Sequence, residues 1–238
     1  MKKYLLLVSF VITITALYSL PILTNVKVME FPEEIKVSYK ILQFDEQIRI
    51  DVNIFNPKTK SIIKVLPDRI KCDFGKIEQN PKGTYCFAIP KKELPSEFFI
   101  SDYIIMPKMI LNGKIHYEME QFKSTSKYIY FISKFETSNE QFAGFVDDDG
   151  YEIEDYWIIS GGIMPKSSIG WQYQAKYNIL APNDWDLSKQ PYWIDSYSNF
   201  IYGPVTSICW FEAYAYTNWC ECELPTYKQV KKLPKRKI

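Results

Sequence analysis

The residues of this chain best suited to metal or nucleophilic chemistry are five cysteines and a single histidine. Cys220-Glu221-Cys222 would point two soft thiolates at one ion, yet two thiolates leave a tetrahedral site half empty. Cys72 and Cys86 flank the turn-forming run Asn80-Pro81-Lys82-Gly83, which would bring them together on paired strands; the spacing accommodates either a disulfide or two separate buried thiols. His116 falls in Lys114-Ile115-His116-Tyr117-Glu118, where alternation makes it an ordinary strand residue. With no second histidine, neither a Ser-His-Asp triad nor a histidine-rich metal site is supported. Asp147-Asp148-Asp149-Gly150, with Glu152, Glu154 and Asp155, has the charge of a calcium loop. It lacks the register of one, with a glycine sixth and a closing glutamate, so the run reads as a solvated turn. No catalytic, cofactor-binding or metal-binding residue is therefore assigned.

The elements that must position these residues belong to a globular chain. Hydrophobic residues make up 47% of it and charged residues 24%, enough for a core. Lys and Arg total 29 against 28 acids, and a formal charge of +1 excludes the strong basic excess of a nucleic-acid partner. Met1-Lys2-Lys3-Tyr4 followed by an apolar run over residues 5–17 has the form of a secretory signal. The apolar character continues to Ile22, so residues 1–24 are expected to be a signal peptide or, through residues 5–23, a membrane anchor. Export follows, to an extracytoplasmic or membrane-anchored location.

Residues 25–121 show short alternating runs at 26–29, 35–41, 48–54, 62–66, 70–74, 84–89, 98–105 and 113–118. Turn residues divide them at Asn56-Pro57, Pro67-Asp68, Asn80-Pro81-Lys82-Gly83 and Asn112-Gly113. Strands at this spacing without an intervening helix predict a small β-sandwich, with immunoglobulin-like topology the guess within that class.

Residues 122–238 change character. In 128–146, a β-rich run enters Ser138-Asn139-Glu140-Gln141, where Ser138 and Gln141 make a capping box ahead of a helix burying Phe142, Phe145 and Val146. In 203–219, Val205 to Ile208 reads as a short strand, and Trp210, Ala213, Tyr214 and Thr217 recur at helical spacing up to a stop near Leu224-Pro225. Between the two lie Trp157, Trp171, Trp185 and Trp193, read as staples of an irregular connection, with an exposed sugar-binding platform as the alternative.

These two stretches resemble the formylglycine-generating enzyme family, also called sulfatase-modifying factor domains. The first matches its F-Y-I-D-K-Y-E-V-T-N-x-Q-Y-x-x-F-V motif through Ser138, Asn139, Gln141 and Phe142. The second matches P-V-x-x-V-S-W-x-x-A-x-A-Y-C-x-W and the following L-P-T through Pro204, Val205, Trp210, Glu212, Ala213, Ala215, Tyr216, Trp219, Leu224, Pro225 and Thr226. Cys209 stands where the family often has a serine cap, and Thr217 where it often has cysteine.

The resemblance implies a C-type-lectin-like fold, and so an α+β chain: a β-sandwich over 25–121 followed by a partial family domain over 122–238. It also implies copper and calcium as the family's cofactors, and oxidation of the cysteine in a sulfatase Cys-x-Pro-x-Arg segment to formylglycine. The family's copper-binding cysteine pair and calcium sites lie in a second half, beyond the positions matched here. The expectation is therefore a truncated, non-catalytic binding or scaffolding protein with a protein or glycan ligand. The alternative is a fragment of such an oxidase. The tail from Tyr227 to Ile238, with its basic run and Pro234, departs from the family's next helix. Lys231-Lys232-Leu233-Pro234 is what codons for Glu-Lys-Ala-Ala can give one base out of frame, so a frame-shift truncation is expected.

Overall fold

The computed structural model describes residues 11–13, 21–44, 47–63, 65, 67–123, 129–161, 164–194, 196 and 200–231. Most of the expected signal or anchor, and the tail after Lys231 that carries Pro234, lie outside the described residues. No described helix is long and apolar enough to cross a membrane. The chain forms two compact units, Thr15–Glu120 and Met1–Ile14 with Gln121–Ile238.

The first unit is built from antiparallel strands. After β1 (Val11–Thr13), which belongs to the other unit, come β2 (Ile22–Glu30), β3 (Glu34–Leu42), β4 (Arg49–Asn56), β5 (Ser61–Ile63) and β6 (Lys71–Cys72). They are followed by β7 (Gly75–Lys76), β8 (Thr84–Pro90), β9 (Ile104–Leu111) and β10 (Lys114–His116). One sheet runs β2-β3-β8-β6 and the other β10-β9-β4-β5, with β7 on β4. Lettered in chain order these are A-B-E-D and G-F-C-C′, the strand orders of an immunoglobulin-type sandwich. Alternation supplies the core: Ile35, Val37, Tyr39 and Ile41 of β3 join Ile50 and Ile54 of β4, Phe87 and Ile89 of β8, and Ile105 and Met109 of β9 in one cluster.

One expected strand was displaced. Residues 98–105 hold a 3-10 turn (Ile100–Asp102), and the strand begins only at Ile104. It then runs through Pro107, which β10 does not reach because its pairing covers only 109–111. A proline there costs no ladder bond on that side, so the strand continues through it.

The second unit carries β11 (Met119–Lys123), β12 (Ile129–Ser133), α1 (Asn139–Asp147), α2 (Glu154–Trp157), β13 (Ile159–Gly161), β14 (Met164–Ser167), α3 (Ile169–Tyr177), α4 (Trp210–Trp219) and α5 (Tyr227–Val230). The sheet order is β1-β12-β11, and β13 pairs with β14 as a hairpin. The core here is aromatic. Phe142 stacks on Tyr216 at 5.0 Å between centroids, and Phe145 meets Trp219 edge-on at 5.9 Å.

Candidate functional site

The two family-like stretches meet in space. Ser138 caps α1 as its spacing predicts: Gln141 N–H donates to Ser138 Oγ at 3.2 Å, and Ser138 N–H donates to Gln141 Oε1 at 3.1 Å. The first turn of α1 is stitched to the segment entering α4. Asn139 N–H donates to Gly203 O at 2.9 Å, Val205 N–H to Thr137 O at 2.9 Å, and Asn139 Nδ2 to Phe200 O at 3.0 Å. Pro204 bridges to Ser138, but no strand forms over 205–208; Ser207 has φ of 59° and breaks the extended run.

Within α4, Glu212, Ala213, Ala215, Tyr216, Thr217 and Trp219 are buried. The expected stripe is corrected at one end: Trp210 is 45% exposed and stacks on half-buried Tyr214 at 5.1 Å. The helix stops at Trp219, short of Leu224-Pro225. Glu221 takes φ of 59°, with Cys222 N–H on Thr217 O at 2.8 Å and Glu221 N–H on Asn218 O at 3.2 Å, the two bonds of a Schellman motif. Leu224 and Pro225 are half-buried, and Thr226 caps α5 with Gln229.

Three of the four tryptophans of the connection are staples, and Trp171 on α3 is half-buried. Trp157 and Trp193 are buried with Trp185, and Trp157 Nε1 donates to Gly150 O at 3.0 Å, so an exposed platform of these rings does not exist. The acidic turn is likewise no free loop. Asp148 Oδ2 accepts from Trp219 Nε1 at 3.1 Å, and Asp147 Oδ1 accepts from Tyr192 OH at 2.7 Å.

Beside the N-terminus of α4 lies a cleft of about 670 Å³, lined by Tyr173 and Tyr177 of α3, the connection through Leu180 and Asn183, Trp185, Leu187, and Cys209 and Glu212. Its rim is apolar: Tyr177 is 57% and Leu180 47% exposed. Trp185 contributes a buried indole N–H with no partner. At the floor, Glu212 takes Cys209 N–H on Oε2 at 2.7 Å and Tyr151 OH on Oε1 at 2.7 Å. Burial pushes its carboxyl above the ordinary carboxylate range, against the pull of those bonds. Burial also raises the Cys209 thiol, and the Glu212 carboxylate adds to the shift. A helix N-terminus would favour a thiolate; here burial and the carboxylate win, and Cys209 stays a thiol at neutral pH. The two motifs alone do not reveal this cleft. Its signal was the run Ile179-Leu180-Ala181-Pro182 after α3, apolar where a connection is usually polar.

Residues 109–232, more than half of the chain, match the profile of the sulfatase-modifying factor enzyme 1-like domain. The chain belongs to that family. Hercynine oxygenase of Mycolicibacterium thermoresistibile is 27% identical over 96 residues, which is 40% of this chain and 20% of that protein. This chain thus spans a fifth of that relative's length. No solved structure matches it.

Cys220 and Cys222 are buried, and their thiols donate to Thr217 O at 3.6 Å and Cys220 O at 3.4 Å. Among the described residues no three of His, Cys, Asp and Glu gather where one ion could be held. His116, Cys72 and Cys86 belong to the sandwich, and both of those cysteines are free thiols.

Proposed function

We propose that this chain is a non-catalytic, extracytoplasmic member of the sulfatase-modifying factor family, whose family domain binds a protein or glycan ligand in the cleft between α3 and α4. The observation that carries this reading is the chemistry of the cleft. It offers aromatic and aliphatic surface at its rim, the Trp185 ring in its wall, and a floor whose thiol is held protonated. Such a lining is suited to holding a ligand by apolar burial and a few placed hydrogen bonds. It is poorly suited to attacking one. The charged start and apolar run of the first residues support export.

A second reading, a portion of a formylglycine-generating oxidase, is favoured by the similarity to an oxygenase. The purified chain, incubated with a Cys-x-Pro-x-Arg peptide with and without copper, separates the two. No formylglycine is expected by mass spectrometry, and its appearance would overturn the binding reading. The cleft itself is tested with anilinonaphthalene sulfonate, whose fluorescence should rise on the wild-type chain. In a Tyr177→Ala, Leu180→Asp variant the rise should fall by at least about half, because both changes strip apolar rim. An unchanged response would remove the cleft as the seat.

A further inference from the structure

The edge of the A-B-E-D sheet carries an irregularity centred on a cysteine. β6 pairs with β8 through Lys71 opposite Ala88 and Cys72 opposite Phe87. Directly after Cys72 the ladder bends. Asp73 N–H donates to Cys86 O at 3.0 Å, and Phe74 N–H turns back to Cys72 O at 2.8 Å. Cys72 has φ of 70°, in the left-handed region that glycine enters freely and a cysteine only at a cost.

The conformation has a consequence for the side chain. In a regular ladder, a residue opposite Phe87 shares its face, and Phe87 is fully buried in the sandwich core. Cys72 is instead exposed, whereas Cys86, between buried Tyr85 and Phe87, alternates to the outer face and is half-buried. The left-handed turn thus takes Cys72 out of the core-facing alternation at the point where the next residue, Asp73, pairs with Cys86, and after burial the Cys72 thiol is among the groups that raise the Cys86 thiol. Neighbouring groups fix the bend. Asp73 Oδ2 accepts from Cys86 N–H at 2.9 Å, and Asp73 O accepts from Tyr39 OH at 2.6 Å. The cysteines of the family domain are placed differently: Cys220 and Cys222 are buried and Cys209 is half-buried.

We propose that Cys72 and Cys86 are a redox-convertible pair, closing to a disulfide across the β6–β8 edge when the chain meets a small-molecule disulfide. Cys72, the more exposed, gives its proton to solvent and attacks one sulfur of that disulfide, releasing the first small thiol. The Cys86 thiolate then attacks the Cys72 sulfur and releases the second. Two protein S–H bonds are lost and one protein S–S bond is formed. The small disulfide takes the electron pair and leaves as two thiols. The bond would staple β6, only two residues long, to the sheet it edges. It would do so in oxidising surroundings and release it in reducing ones.

The test uses the full chain treated with oxidised glutathione, blocked with iodoacetamide, digested without reductant and mapped by mass spectrometry. A peptide pair linked through Cys72 and Cys86 is expected, with Cys72→Ser and Cys86→Ser each retaining one glutathione. The oxidised chain should also resist thermal unfolding of the sandwich by several degrees more than the reduced chain, because the bridge restricts the unfolded loop. Recovery of both cysteines alkylated, both carrying glutathione, or bridged between two chains would overturn the proposal.

Discussion

His116 is buried on β10, and its Nε2 has no hydrogen-bond partner. Burial, with Lys114 adding to it, lowers its pKa from 6.5 to about 4. The sign of the linkage follows. As pH falls, the unfolded chain takes up this proton near 6.5 while the folded chain refuses it until about 4, so stability declines across that window and levels off below it. A shift of that size corresponds to roughly 3 kcal/mol. Urea unfolding at pH 7.5 and at pH 4 should show the wild type losing about that much more stability than His116→Gln, which has no proton to gain. Equal losses in the two chains would mean that His116 reaches a partner or water when charged. Sequence alone identified the residue as an ordinary strand position, correctly. Its missing partner was illegible, because it depends on what the neighbouring strands place around it.

At the scale of the element, caps decide where helices begin. Ser138 and Gln141 were legible as a box, since both are favoured types at the required spacing. Thr226 with Gln229 obeys the same spacing, but it was hidden in a stretch read as tail. Cys209 with Glu212 was legible only through the resemblance, which puts a serine cap at that position, because cysteine is rarely counted as a cap. The end of α4 had no local signal, because the left-handed position of its Schellman motif holds Glu221 in place of glycine. Gly150 is where one backbone position controls an element. Its N–H donates to Phe145 O at 2.8 Å, its carbonyl takes the Trp157 indole, and a Cβ there would collide with the Phe145 ring and carbonyl. Gly150→Ala should therefore destabilise the family domain by about 1–3 kcal/mol, the usual cost of overpacking. Thermal melts followed by tryptophan fluorescence would show it, and a variant as stable as wild type would mean that the turn after α1 shifts freely.

At the scale of the whole molecule, two cores are built on different chemistry, and that difference explains what the sequence disclosed. The sandwich core obeys a period of two, so its strands were legible from alternation except in β9, which is buried at nearly every position from Ile105 to Leu111 and so does not alternate. The family domain is held by rings brought together from distant segments. Phe142 of α1 touches Tyr216 of α4 and Trp185 of the connection, with centroids at 5.0 and 6.0 Å. Such contacts have no period, and only the ordered motifs pointed to them. Each core should consequently fail at its own centre. Phe142 and Phe87 are both fully buried, and truncating either to alanine should cost roughly 3–5 kcal/mol through lost burial and the cavity left behind. Amide hydrogen exchange can locate the damage. Phe142→Ala should strip slow exchange from α1 and α4, whose packing passes through that ring. Phe87→Ala should strip it from β3 and β8, which pair from Glu34 with Pro90 to Lys40 with Thr84. Should α4 keep wild-type protection in Phe142→Ala, the helix would be held by contacts other than the Phe142–Tyr216 stack.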